Sequence, residues 1–248
     1  MAFLLRVALP DRPGSLGQLA SALGTIGADI EAIEVVERRL DGSAIDDVLV
    51  GLPTGGLPDS LVSACESVPG VDVQWISRFA AGGGLFPDLE AVEVMTHEPR
   101  DAAARLTDVL PTVFRADWAA LLAVPDATGV LAVEHATPAA PDLSGLPFAR
   151  SATSGARRVA VPDSWTGPVG ADLVLAVATV GPVEAHLAAV GRRGGPEFLD
   201  SELARLFHLA SLAASITATA AATATAAAAA AATAQAPAES APASGTRG

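Results

Sequence analysis

Apolar and polar positions alternate along the first ten residues, with Phe3, Leu5, Val7 and Leu9 on one face of an extended segment and Leu4, Arg6 and Ala8 on the other. The period then changes, and Leu16, Leu19, Ala20, Leu23 and Ile26 recur at helical spacing. Pro13 and Gly14 sit at the joint, so the strand stops and a helix begins with its first-turn N–H groups facing outward. After Gly27 the pattern predicts a long strand from Ile30 to Arg39, a tight turn at Asp41-Gly42 and a strand from Ala44 to Leu52. Leu57, Leu61, Val62, Cys65 and Val68 mark a second amphipathic helix that Pro69-Gly70 ends, and Val71, Val73 and Trp75 open a fourth strand closing near Phe79. Strand-helix-strand-strand-helix-strand is the order of a split βαβ, or ferredoxin-like, unit.

The composition changes at Ala80-Ala81-Gly82-Gly83-Gly84, which predicts a linker over 81–87 between a module at 1–80 and another at 88–216. In the second module a helix is expected over 100–115, carrying Leu106, Val109, Leu110 and Val113 on one side. Strands are expected from Trp118 to Val124 and from Gly129 to His135, around the turn Pro125-Asp126-Ala127-Thr128. A short helix from Phe148 to Ser154 follows, then a strand from Arg157 to Val161 and two strongly apolar strands, Asp172 to Val180 and His186 to Arg192. The last helix begins near Asp200 and holds Leu203, Leu206, Phe207, Leu209, Ala210 and Ala213. Alanine and threonine from Thr217 onward prolong it through Ala234, Pro237 stops it, and residues 217–248 read as helix extension and disordered tail. The extension is long enough to cross a bilayer but far less hydrophobic than a leucine-rich span, so no membrane association is expected. The fold class is α+β.

Composition narrows the chemistry. All fifteen basic residues are arginine, and the absence of lysine excludes Schiff-base, lysine-base and Walker-type phosphate sites. A formal charge of −13 argues against nucleic-acid binding. The acid is spread out, with 5 arginines against 11 carboxylates in residues 1–80 and 9 against 16 in residues 81–216. One cysteine, Cys65, forms no internal disulfide, and Arg6 follows Met1 too soon for a signal peptide, so a cytoplasmic protein is expected.

No catalytic constellation emerges. His97, His135, His186 and His208 lack metal-site spacing, and at Glu134-His135 the histidine reads as a satisfied surface or core residue before it reads as a metal or proton-transfer site. Cys65 lies late on the apolar side of its helix and behaves as a small hydrophobe. Ser151 and Ser154 lack a nucleophile elbow, and the glycine clusters lack phosphate-loop patterns. Arg192, Arg193, Arg157 and Arg158 are expected on solvated strand edges. The expectation is no catalytic residue, no metal and no cofactor. The joint at Pro10 to Leu16 is different. A bare helix entrance suits a carboxylate, although Pro13 and Gly14 equally serve a helix start without any ligand.

Asp11-Arg12-Pro13-Gly14-Ser15-Leu16, with Gly27-Ala28-Asp29-Ile30 entering the second strand, resembles the joint of the ACT domain, and the likeness covers residues 3–79. That resemblance implies a regulatory module binding an amino acid or related metabolite, usually across a dimer interface. A ligand carboxylate would meet the amides of Gly14, Ser15 and Leu16, with Asp11 and Asp29 as acceptors for its ammonium. The implied site is therefore Asp11, Arg12, Pro13, Gly14, Ser15, Leu16, Asp29 and Ile30. Many amino-acid-binding members carry asparagine where this chain has Asp11. In the second module, Val190 to Phe198 followed by Asp200-Ser201-Glu202-Leu203 resembles the last strand, turn and terminal helix of the GAF domain, and Ala149 to Val161 resembles an earlier helix, glycine and strand of that family. Together these imply a non-enzymatic regulatory protein, a homodimer or higher homo-oligomer, with a small-molecule ligand as partner. The alternatives are an accessory or degenerate enzyme subunit of amino-acid metabolism and a ligand-free dimerisation protein.

Overall fold

The computed structural model describes residues 1–79, 87–123, 132–143, 155–161, 173–181 and 186–234. The first module runs β1 (Ala2–Pro10), α1 (Ser15–Thr25), β2 (Asp29–Arg38), β3 (Ser43–Gly51), α2 (Pro58–Glu66) and β4 (Asp72–Phe79). Its strands form an antiparallel sheet in the order β2-β3-β1-β4. Side-chain alternation sends Phe3, Leu5, Val7, Val48 and Val50 to the face under α1 and α2, where Leu19, Leu23, Leu61 and Cys65 close the core. The other face, carrying Leu4, Arg6, Asp47 and Leu49, is equally buried. β1 and β3 are thus enclosed on both sides, and the second module supplies the cover.

That module runs α3 (Pro87–His97), a 3₁₀ turn (Pro99–Asp101), α4 (Ala102–Phe114), β5 (Trp118–Ala123), β6 (Ala132–Ala136), β7 (Ala156–Val159), β8 (Leu173–Thr179), β9 (His186–Arg193) and α5 (Asp200–Ala234). A five-stranded antiparallel sheet has the order β6-β5-β9-β8-β7. Ala119, Leu121, Ala176, Ala188 and Val190 face α3, α4 and α5, meeting Leu106, Leu110, Phe114, Leu206 and Ala213. Trp118, Leu122, Leu175, Val177 and Leu187 pack on the opposite face with Leu143. The whole is an α+β protein with two antiparallel sheets among the described residues.

One helix departs from expectation. α3 occupies a stretch where Leu89, Ala91 and Val92 to Met95 show no clean helical stripe, and only Ala91 and Met95, one turn apart, are buried. Pro87 at its first position and Asp88 and Glu90 in its first turn supply the start signal instead. The expected linker at Ala80-Ala81-Gly82-Gly83-Gly84, the turn at 125–128, the helix at 148–154 and the tail beyond Ala234 lie outside the described residues.

Candidate functional site

At the end of β1 the chain turns tightly. The Asp11 amide donates to Gly42 O at 2.8 Å, the Arg12 amide to Pro10 O at 2.9 Å and the Ser15 amide to Arg12 O at 3.2 Å. Gly14 takes a φ of 94°, a left-handed conformation suited to glycine, and α1 then begins without any side-chain cap. This joint bounds a pocket of about 340 Å³, walled by residues 9–16, by Val35 and Arg38 of β2 and by Ala44 and Asp46 of β3. Asp11, Arg12, Pro13, Gly14, Ser15 and Leu16 therefore come together at one concavity.

Asp29 and Ile30 do not join them within one chain. Asp29 pairs with Gly51, which pairs with Ala2, whereas Pro10 pairs with Ser43 at the other end of β3. At about 3.3 Å per residue, the length of β1 puts roughly 25–30 Å between Asp29 and the loop. The second carboxylate at the pocket is Asp46 instead. Its residue is 2% exposed, and its Oδ1 is enclosed without a hydrogen-bond partner. Burial raises its pKa above the ordinary carboxylate value, Asp11 adds to the rise as a like charge, and Arg38 opposes it. Asp11 itself is exposed and lies 3.3 Å from Arg38 Nε. Sequence reasoning passed over Asp46, although a signal was available: two adjacent carboxylates, Asp46-Asp47, interrupt an otherwise apolar strand and must point to opposite faces.

Asp47, on the far face, anchors a buried ion network between the modules. Arg6 grips it bidentately, from Nε to Oδ1 at 2.8 Å and from an Nη to Oδ2 at 2.9 Å. Arg6 also donates to both oxygens of Glu202, at 3.1 and 3.2 Å. Arg192 meets Glu202 Oε1 at 2.5 Å, donates to Phe114 O and Pro196 O, and stacks over the Phe198 ring at 3.9 Å. Arg115, left-handed at φ 49° where α4 ends, adds a 2.6 Å bond to Asp47 Oδ2. Arg6, Asp47, Arg192 and Glu202 are each 3% exposed or less. Arg192 is therefore a buried clamp residue, contrary to the solvated edge expected, because α5 brings Glu202 beneath the end of β9. Arg158, at another strand edge, is likewise engaged, donating to Phe198 O at 2.5 Å and to Asp200 at 2.9 Å.

Two histidines of the second module are paired with carboxylates. His135 lies 2.6 Å from Asp108 and His186 3.2 Å from Glu134, so Glu134 and His135 serve different partners. Among the described residues, no group of three or more His, Cys, Asp or Glu could hold a metal ion. Burial pushes the Cys65 thiol up to about 11. A larger cavity of about 630 Å³ opens between the sheet of the first module and helices α3, α4 and α5. Asp47 and Arg115 on its wall are bonded to one another, and Arg205 donates to Val113 O and stacks on Phe114. Asp88 on the same wall lies 3.1 Å from Arg205 Nε, whereas Asp46 at the loop pocket has an enclosed oxygen with no hydrogen-bond partner.

No family model and no curated protein matches the chain. Among solved structures, an unknown protein from Galdieria sulphuraria is 18% identical over 52% of this chain and 75% of its own, with a TM-score of 0.27. A formyltetrahydrofolate deformylase from Pseudomonas putida KT2440 is 12% identical over 39% of this chain and 38% of its own, with a TM-score of 0.26. An uncharacterised protein from Thermotoga maritima is 18% identical over 32% of this chain and 96% of its own, at 0.25. Likeness at this level carries no functional argument.

Proposed function

We propose that this chain is a non-enzymatic regulatory protein of the cytoplasm, with an ACT-like first module that binds an amino acid or related small metabolite at the β1–α1 joint. The observation that carries the reading is the pocket at the start of α1, where no side chain caps the helix, the Ser15 amide is already taken by Arg12 O, and the helix dipole meets a concavity of small-ligand size. The element order and the strand order β2-β3-β1-β4 support a ferredoxin-like module. The five-stranded sheet flanked by α3, α4 and α5 supports a GAF-like second module that serves as sensor or dimer platform.

A second copy belongs to this proposal. β2 is a sheet edge that leaves Ile33 and Val35 exposed, and such an edge is a template for pairing with another chain. Asp29 and Ile30 reach a first loop only from a partner in which β2 lies alongside. The ligand then favours one dimer packing by its difference in affinity for the two arrangements. A thermal-shift screen against the twenty amino acids tests the reading, since a ligand specific for the folded state raises its stability by RT ln(1 + [L]/Kd). At least one amino acid should shift the melt, and Gly14→Asp, which places a carboxylate and a strained backbone at the helix entrance, should abolish the shift. A dimeric protein whose melt no amino acid moves would point to a ligand-free dimerisation role.

A further inference from the structure

We infer that Asp46 is the residue that selects an ammonium group at the first-loop pocket, so that the site takes α-amino acids and rejects their 2-oxo acid counterparts. The inference rests on the binding role proposed for that pocket and assigns its specificity to a residue on β3. The place of Asp46 in the sheet and its unpaired oxygen lead to it. Asp46 sits on the helix-side face of the sheet, opposite Val7 on β1 and Val35 on β2, in positions where its neighbours along the strand, Val48 and Val50, fill the core. A carboxylate at such a place costs stability unless something pairs with it. No arginine reaches its buried Oδ1, and no backbone amide donates to it.

Asp46 and Asp11 are the carboxylates of the pocket, and Asp11 is ion-paired with Arg38 at 3.3 Å, which leaves Asp46 as the carboxylate without a cation on it. The uncapped start of α1 forms the opposite wall, where the helix dipole favours negative charge. An α-amino acid presents complementary groups a few ångströms apart, its ammonium to Asp46 and its carboxylate to α1. A 2-oxo acid keeps the carboxylate but places a carbonyl oxygen against a carboxylate, leaving both acceptors without a proton between them. Rejection by an unpaired buried polar group is a strong form of discrimination.

The test compares wild-type protein and Asp46→Asn by thermal shift and calorimetric titration against the twenty amino acids, their 2-oxo acids and the amines that lack the carboxylate. In wild type, the amino acid that binds should outcompete its 2-oxo acid, and Asp46→Asn should weaken it by roughly 10- to 100-fold. The unliganded variant should melt above wild type, by about 2–4 °C, because the buried charge has gone while the shape is kept. Equal binding of amino acid and 2-oxo acid, or undiminished binding to Asp46→Asn, would overturn the assignment while leaving the pocket a binding site. A variant that melts below wild type would make Asp46 a structural group and overturn it as well. If no amino acid binds wild type at all, the binding reading of the pocket fails, and the role of Asp46 falls with it.

Discussion

Trp118 fills the space that a side chain at position 191 would need. β5 and β9 pair with Trp118 opposite Gly191, and a Cβ built on that glycine would lie inside the indole. Glycine is required there by close approach, since indole atoms would lie within 2.5 Å of a Cβ at that position. Gly191→Ala should therefore destabilise the protein by about 1–3 kcal/mol through overpacking, read as a lower midpoint in urea with an unchanged slope. An unchanged midpoint would mean that the indole has room to swing aside. Asp46 is the contrasting residue, in which replacing the carboxylate with an amide of the same shape is expected to stabilise the fold and harm the site. Both residues are visible in the sequence, as a lone glycine and as the first of two adjacent acids in largely apolar strands, but the surroundings that explain each are set by strand register.

Among the elements, β3 and α5 carry the connection between the modules. β3 shows one carboxylate to the loop pocket and the next to the clamp, a direct result of its two-residue period. α5 begins with Glu202 at its third position, whose carboxylate accepts the Leu199 amide at 2.8 Å, half of a capping box. The same carboxylate holds Arg6 and Arg192, so one side chain both starts the helix and closes the interface. Glu202→Ala would leave the buried Arg192 without a carboxylate partner, leave Arg6 with Asp47 alone, and leave a helix amide bare. The expected loss is about 3–5 kcal/mol, checked by chemical denaturation. Glu202→Gln should fall between, because it keeps the cap and drops the charge. The apolar stripe of α5 is legible in the sequence, from Leu203 through Ala213, and its alanine-rich continuation to Ala234 follows from propensity. α3 is not, because two buried contacts one turn apart leave too faint a periodic trace.

For the whole molecule, the clamp predicts how the protein meets acid. Arg192 and Arg6 hold the Glu202 carboxyl below its ordinary value of 4.5 in spite of burial. A folded-state pKa lower than the unfolded one contributes stability above the unfolded value, and that contribution is lost as pH falls through the folded value. Asp46 works in the opposite sense: its raised pKa gives a contribution present below the ordinary carboxylate value and lost as pH rises through the folded one. The clamp has Arg6, Arg115 and Arg192 around Asp47 and Glu202, so its loss leaves cations facing one another. Urea midpoints should fall steadily below pH 4.5, and the fall should be shallower in Glu202→Ala. Hydrogen exchange should show the amides of β1, β3 and the first turns of α5 opening together under those conditions. Separate opening of the two modules would mean that the clamp does not couple them.

Much of this protein follows from local pattern. The alternation in β1, the helical stripes of α1 and α2, the Asp41-Gly42 turn, the apolar strands β8 and β9 and the strand-to-helix switch at Pro13-Gly14 are all set by neighbours a few residues apart. Sterics, propensity and side-chain period act at that range, so a single sequence carries them. What only tertiary structure decides is which distant residues meet. Arg6 finds Asp47 across 41 positions and Glu202 across 196, and nothing local distinguishes these acids from solvated ones. The same holds at the loop pocket, where register brings Asp46 to the joint and carries Asp29 to the far end of the sheet. Charge pairing is short-ranged and depends on burial, and burial is a property of the assembled molecule.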